Sequence, residues 1–353
     1  APPMRVAGCD PGSSSLDVLI LDDGVVADQA RFEPDQLRAD PATAVAWLDA
    51  RGPFDLVAAP SGYGLPLVRA AEATDAQLAL LSLLRPDDLG GGVTGFSAVA
   101  RAFRDSRLPA VFLPGVVHLP TVPAHRKVNR IDLGTPDKLA VAALALHQLA
   151  GTWARTGPVC VVELGTSFTA ALVVDERGEV VDGVGGTGGP LGWRSAGGWD
   201  GEAAYLLGPL AKADLFAGGA ADIADDEDRR AAYLESLVRT VGGLCGLHEP
   251  HERFEAVALS GRLFAAEPGF VESLHLTEAL APFARFGSAV APVGSLPGAW
   301  VKEAAQGAAL IADGLAGGAH AELVARLRLR EAAGSVLDGL THPRAAAVRG
   351  WFS

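Results

Sequence analysis

The sequence predicts an α/β protein of two related lobes, each built on a mixed sheet and both facing one cleft. Two observations carry this expectation. Residues 5–28 read as a β-hairpin: an apolar run ends at Asp10, turns through Pro11-Gly12-Ser13-Ser14-Ser15, resumes over Val18–Leu21 and turns again at Asp22-Asp23-Gly24. Residues 159–182 repeat that pattern without a gap, placing Glu163 on Asp10, Gly165 on Gly12, Thr166 on Ser13, Ser167 on Ser14 and Asp175 on Asp22. A repeat at this spacing is no solenoid, so it reads as a duplicated lobe. At 353 residues the chain is long enough for two cores of ordinary size.

The first turn suits a phosphate. Gly12 lets the backbone come close to an anion, and the serines add hydroxyl donors to the main-chain N–H groups. Asp10 at its lip is placed to hold a hydrated divalent cation, because Mg2+ keeps most of its water and takes one or two carboxylates. A plain hairpin loop has the same composition, and the second copy is what favours the functional reading.

Next in order, residues 30–50 predict a loop and a helix that turns Trp47 and Leu48 inward, and Asp55–Ala59 a short buried strand. The strand leads into Pro60-Ser61-Gly62-Tyr63-Gly64-Leu65-Pro66. Open sheets bind ligands at such strand ends, so Ser61 and Tyr63 are substrate candidates, with a rigid surface turn as the plainer alternative. Helices are expected over 76–84 and 94–106, joined by Gly90-Gly91-Gly92 as a flap, and a strand over Ala110–Leu113. Segment 117–138 concentrates basic residues in an acidic chain. Within it, Thr135 reads as an N-cap and Pro136 as the first residue of a helix that runs on through Leu139–Ala150. Asp137 then either complements the helix dipole or, with Lys138, faces the cleft. Arg126, Lys127 and Arg130 are either solvated or neutralise a transferred phosphoryl group.

In the second half, the glycine-rich run 183–202 carries Trp193, Arg194 and Trp199, poor linker residues, and reads as a packed loop over a site. Arg194 either grips a carboxylate or phosphate with two N–H groups or stacks on a neighbouring tryptophan. Helices follow over 201–215 and 227–247, with a solvated acidic loop at Asp222–Asp228. A buried strand and turn come at Glu255–Arg262, where Gly261 permits a close approach and Arg262 either meets a phosphate or faces water. A small-residue helix over Ala299–Ala316, an amphipathic helix over Glu322–Val336 and a tail whose Trp351-Phe352 docks on the core complete the chain.

Composition narrows the function classes. A net charge of −13 argues against nucleic acid and anionic membrane as partners while leaving room for a nucleotide in a local pocket. No apolar run reaches the ~18–20 residues of a membrane span. The start shows no basic-then-apolar pattern, so a cytoplasmic location is expected. Three cysteines, Cys9, Cys160 and Cys245, lack metal spacing, and the first two sit in strand cores as buried thiols. The eight histidines form no ligand motif.

Two Asp/Glu-x-Gly-Ser/Thr-Ser/Thr hairpins, the Ala256–Arg262 strand and turn, and the helix Glu303–Ala312, in that order, resemble the acetate and sugar kinase, heat-shock chaperone and actin superfamily. The resemblance implies two ribonuclease-H-like (actin-like ATPase) domains, residues 1–150 and 151–353, with five-stranded mixed sheets, flanking helices and a nucleotide cleft between them. It implies ATP and Mg2+ as cofactors, with Asp10 and Glu163 at the metal. Gly12, Ser13, Ser14, Gly165, Thr166 and Ser167 would lie at the phosphates, Ser260, Gly261 and Arg262 at the adenosine, and residues 303–312 would form the hinge helix. The Gly189-Pro190 to Gly198 loop resembles that of the butyrate kinase branch, which puts Arg194 beside the acceptor. The expected activity is phosphoryl transfer from ATP to a small molecule, a carboxylate by this branch, with Asp10, Asp137, Lys138, Arg126 and Glu163 as the catalytic set. A nucleotide-gated conformational module is the alternative, and a homodimer is compatible with either. Glu163 departs from the usual Asp, no second glycine follows Gly165, and the histidine of acetate kinase is not evident.

Overall fold

The computed structural model describes residues 4–12, 15–86, 95–149, 157–248, 253–285 and 289–353. Ser13, Ser14 and the expected glycine flap at 90–92 lie outside the described residues. Strands β1 (Arg5–Pro11), β2 (Leu16–Asp22) and β3 (Val25–Phe32) form the antiparallel hairpins that the alternating apolar runs dictate. Helices α1 (Pro34–Ala39) and α2 (Thr43–Asp49) lead to β4 (Leu56–Ala58), parallel to β1. After β5 (Val68–Arg69), α3 (Asp75–Ser82) and α4 (Phe96–Asp105) comes β6 (Ala110–Phe112), parallel to β4, and then α5 (Pro136–Leu149).

The second half repeats the plan. Strands β7 (Val159–Leu164), β8 (Thr169–Val174) and β9 (Val180–Val184) are antiparallel; α6 (Gly201–Leu206) and α7 (Asp226–Leu247) precede β10 (Ala256–Ser260), parallel to β7. Short helices α8 (Leu263–Ala266), α9 (Pro268–Ser273) and α10 (Leu276–Leu280) lead to β11 (Val290–Pro292), followed by α11 (Glu303–Ala316), α12 (Ala321–Arg326) and α13 (Ala345–Gly350). The sheet orders are β3-β2-β1-β4-β6-β5 and β11-β10-β7-β8-β9. Each lobe has its five expected strands. The first sheet adds β5, a two-residue edge strand against β6 that no apolar run announces. Duplication extends to detail: β2 slips register against β3 between Ile20 and Leu21, and β8 against β9 between Val173 and Val174, the equivalent place.

Side-chain alternation sets five layers. Val6, Leu19 and Leu21 face a central core, while Ala7, Val18 and Ile20 face an outer one with α1–α4; Val159 and Val161 face the centre, while Cys160 and Val162 face α7–α10. The central layer is crossed over. Helix α11, which follows the second sheet in the chain, packs on β1, β2 and β4, whereas α5 packs on β7 and β8 and against α11. Leu139, Leu144, Leu146, Leu310 and Ile311 are fully buried there, each worth roughly 1.5–3 kcal/mol of transfer free energy.

Three stretches differ from the sequence expectation. The acids at 222–228 open α7: Asp225 accepts from the N–H groups of Glu227 and Asp228, and Asp226, Glu227 and Asp228 fill the first turn, where the dipole favours them. The helix expected over 201–215 stops at Leu206, because Gly208 takes φ +78° and Pro209 follows. The helix expected to run to 336 ends at Arg326, with Arg328 left-handed at φ 51°. Among the described residues no helix is long and apolar enough to cross a membrane.

Candidate active site

One cavity of about 260 Å³ is lined by both hairpin turns, the start of α5, the 61–63 loop and the start of α11. The antiparallel register carries Asp10 and Glu163 to the cavity ends of β1 and β7. In the first turn the Gly12 N–H donates to Asp10 O at 3.2 Å and Ser15 O at 3.0 Å, closing the backbone under the cavity. In the second, the Gly165 N–H donates to Phe168 O at 2.9 Å, and a Cβ at Gly165 would lie 2.7 Å from that oxygen. Thr166 and Ser167 line the cavity beside it.

Helix α5 delivers the polar centre. The Thr135 hydroxyl donates to Asp137 Oδ1, and Lys138 Nζ lies 2.5 Å from Asp137 Oδ2 and 2.7 Å from Glu163 Oε2. One ammonium therefore ties the first lobe's last helix to the second lobe's turn. Burial pushes the Glu163 carboxyl up to about 7; Lys138 opposes this, and Asp137 and Asp10 add to it. Burial also raises Asp10, against the pull of Lys302. Burial pushes Asp137 upward too, but Lys138 and the Thr135 hydroxyl outweigh it and hold Asp137 below the usual carboxylate range. Burial disfavours charge on Lys138, yet its two carboxylates keep it firmly protonated.

The structure brings Asp10, Gly12, Glu163, Gly165, Thr166, Ser167, Asp137, Lys138, Ser61, Tyr63 and Arg262 to this cavity. Ser61 is committed as it stands: its Oγ donates to Ala59 O at 2.7 Å and accepts from Leu113 N–H at 2.9 Å, holding two strand ends together. Gly261 sits behind the lining, where φ is +118° and a Cβ would fall 2.2 Å from Leu164 O; Ser260 before it is buried, its Oγ without a hydrogen bond among the described residues. Two arginines are not brought in. Arg126 turns to β9, donating to Val181 O at 2.7 Å and lying 3.4 Å from Asp182 Oδ2, because a buried carboxylate there needs a cation. Arg194 is exposed and outside the lining; the loop it sits on is fixed through backbone, its N–H donating to Ser167 O at 3.2 Å.

Three charged lining residues escaped the sequence reading. Lys302, before α11, has its Nζ 3.2 Å from Asp10 Oδ2. Asp132, raised by burial, accepts from Gly134 N–H at 2.9 Å. Lys212 reaches across from the second lobe, its Nζ 3.2 Å from the Tyr63 hydroxyl and 4.5 Å from the ring centroid. A lysine opening an apolar helix is the only signal that pointed to Lys302.

The fold defined here, two mixed sheets around a crossed helix pair with a cleft at the strand ends, is that of the acetate and propionate kinases. An acetate kinase from Entamoeba histolytica superposes with a TM-score of 0.54 at 11% identity, over 82% of this chain and 96% of that one. A propionate kinase from Francisella tularensis subsp. tularensis gives 0.54 at 12% identity, over 86% and 98%. No curated protein matches the chain by sequence. The family model described as "Protein of unknown function (DUF1464)" matches residues 8–342, and the chain belongs to that family.

Proposed function

We propose that the chain is an ATP- and Mg2+-dependent phosphotransferase that phosphorylates a small carboxylate, in the manner of a butyrate kinase. The observation that carries the reading is the convergence of both glycine turns and four carboxylates, Asp10, Asp132, Asp137 and Glu163, on one cavity. Solved structures of the same fold include kinases of acetate and of propionate, in keeping with it. The residues fit the cofactor. Asp10 and Glu163 face the cavity with their carboxyls raised by burial, which a divalent cation would relieve, and Mg2+ needs one or two such oxygens. Its bound charge would neutralise triphosphate oxygens. The turns at Gly12 and Gly165 present backbone to the phosphates, and Lys138 holds Glu163 and Asp137 at a fixed separation. A carboxylate acceptor is already ionised at neutral pH, with a pKa near ~4, so no general base is required of the protein.

The test is thermal unfolding with and without Mg2+ and ATP, followed by trapping of acyl phosphate with hydroxylamine across a panel of short acids. Millimolar Mg2+ and ATP raise the melting temperature, and Asp10→Asn removes both that rise and acyl phosphate formation. Absence of any shift in the native protein sinks the reading, and a shift with no acceptor turnover supports a conformational module instead.

A further inference from the structure

Gly12 has no side chain, and the ammonium of Lys302 fills the space one would take: a Cβ built there lies 2.4 Å from Lys302 Nζ. We propose that Lys302 is a phosphate-binding residue of the first turn, supplying from the start of α11 the cation that the turn's own sequence lacks. The assignment rests on the nucleotide reading of the cavity given above.

Position comes first. Lys302 Nζ donates to Ser15 O at 2.9 Å and lies 3.2 Å from Asp10 Oδ2 and 3.7 Å from Asp17 Oδ1, with the residue only 7% exposed, and it lines the cavity. The mount is equally specific. Asp17 is fully buried and accepts from the Lys302 N–H at 3.0 Å, from the Ser15 hydroxyl at 2.6 Å and from Arg31 Nη2 at 2.8 Å. Gln29 of β3 accepts from the Trp300 N–H at 2.8 Å and donates to Gly298 O at 2.8 Å. The segment before α11 is thereby pinned to the first sheet, and the ammonium is held against the turn without a long search among rotamers.

Availability separates Lys302 from its neighbour. Lys138 is gripped by two carboxylates within 2.7 Å, so two of its three donors are held in short contacts to Asp137 and Glu163. Lys302 has one carbonyl at 2.9 Å, a looser carboxylate at 3.2 Å on the cavity side and the Asp17 carboxylate no nearer than 3.7 Å. An ammonium has three donors and binds phosphate as a point charge, so a phosphate oxygen displaces only the weaker Asp10 contact. Asp10 is then freed toward the cavity as the phosphate arrives. A plain counter-ion for Asp10 and Asp17 would share the burial, and the number of phosphates on the ligand tells the two apart.

The test compares AMP, ADP and ATP, each with Mg2+, by titration calorimetry on the native chain and on Lys302→Met, which keeps the stem and removes the charge. Native binding with a loss in the variant that grows from AMP to ATP, reaching roughly 10- to 100-fold for ATP, supports the assignment. Lys302→Gln, which removes the charge but keeps a polar tip for the buried site, shows the same gradient and serves if Lys302→Met does not fold. Urea unfolding reports folding separately. A loss equal for all three nucleotides, or none beside a lowered urea midpoint, makes Lys302 a counter-ion only and overturns the proposal. No nucleotide binding by the native chain overturns it together with the reading beneath it.

Discussion

His118 is buried at 3% exposure, its Nδ1 accepting from the Gly115 N–H at 3.2 Å, and burial drives its pKa from 6.5 down to about 4. Between those values the unfolded chain binds the proton and the folded chain does not. Stability from this site is therefore complete above about 6.5 and is lost as pH falls toward about 4, a total of up to ~3 kcal/mol. His118→Asn keeps an acceptor for Gly115 but cannot protonate, so its urea midpoint falls less steeply over that window; parallel slopes would mean that His118 is not the titrating group. The places of residues were legible to unequal degrees. That Asp10, Gly12, Glu163 and Thr166 share one cavity could be read because a turn is a local object and the chain writes it twice. Lys302 could not, since its partners Asp10, Ser15 and Asp17 lie at the other end of the chain. Arg126 shows the opposite error: local basic density says nothing about direction, and Asp182 on β9 decided it.

Helix α11 runs with backbone against backbone on both sides. A Cβ at Gly8 of β1 would lie 2.1 Å from Ala309 N, and one at Gly307 would lie 1.8 Å from Ala140 O of α5. Neither neighbour is a flexible side-chain tip, so Gly307→Ala forces the helix pair apart. Overpacking of that kind costs about 1–3 kcal/mol and the gain in helix propensity is about 1 kcal/mol, so the net change is a loss. Gly243, exposed on α7 with nothing within 4 Å of a built Cβ, is the matched control, and Gly243→Ala raises stability by up to ~1 kcal/mol. Opposite shifts in urea midpoint for the two variants confirm the close crossing; equal gains would refute it. The strands other than β5 and the three-residue β11, and the long helices, were legible from periodicity. The crossing was not, because small residues in both helices reveal that something packs closely but not which sheet lies beneath. Edge strand β5 was invisible for a different reason, since two residues carry no period.

At the scale of the molecule, the lobes share the α5–α11 layer at the back of the cleft and meet again at its mouth. There the segment after α6 crosses to the first lobe, with Arg85 Nη2 donating to Leu210 O at 3.0 Å and Lys212 Nζ reaching the Tyr63 hydroxyl, while Phe216 packs edge-on against Phe168 of its own lobe at 4.8 Å between centroids. Lys212, Phe216 and Tyr63 all line the cavity, on the side where Leu81, Leu84 and Phe96 make an apolar wall. Under the proposed activity the two glycine turns at the strand ends hold the phosphates, so the mouth is the part left for the acceptor. Lys212→Met keeps the stem against the Tyr63 ring and removes the charge that meets the hydroxyl. A charge-assisted ammonium-to-hydroxyl hydrogen bond is worth about 1.5–3 kcal/mol and a cation–π contact about 0.5–1 kcal/mol, so the Michaelis constant for the acceptor should rise about tenfold or more. Affinity for ATP, set by the turns and not by the mouth, should stay within about twofold on the same argument. Steady-state kinetics with either substrate varied separates the two. A rise confined to ATP would place the acceptor elsewhere and make the crossing segment part of the nucleotide grip.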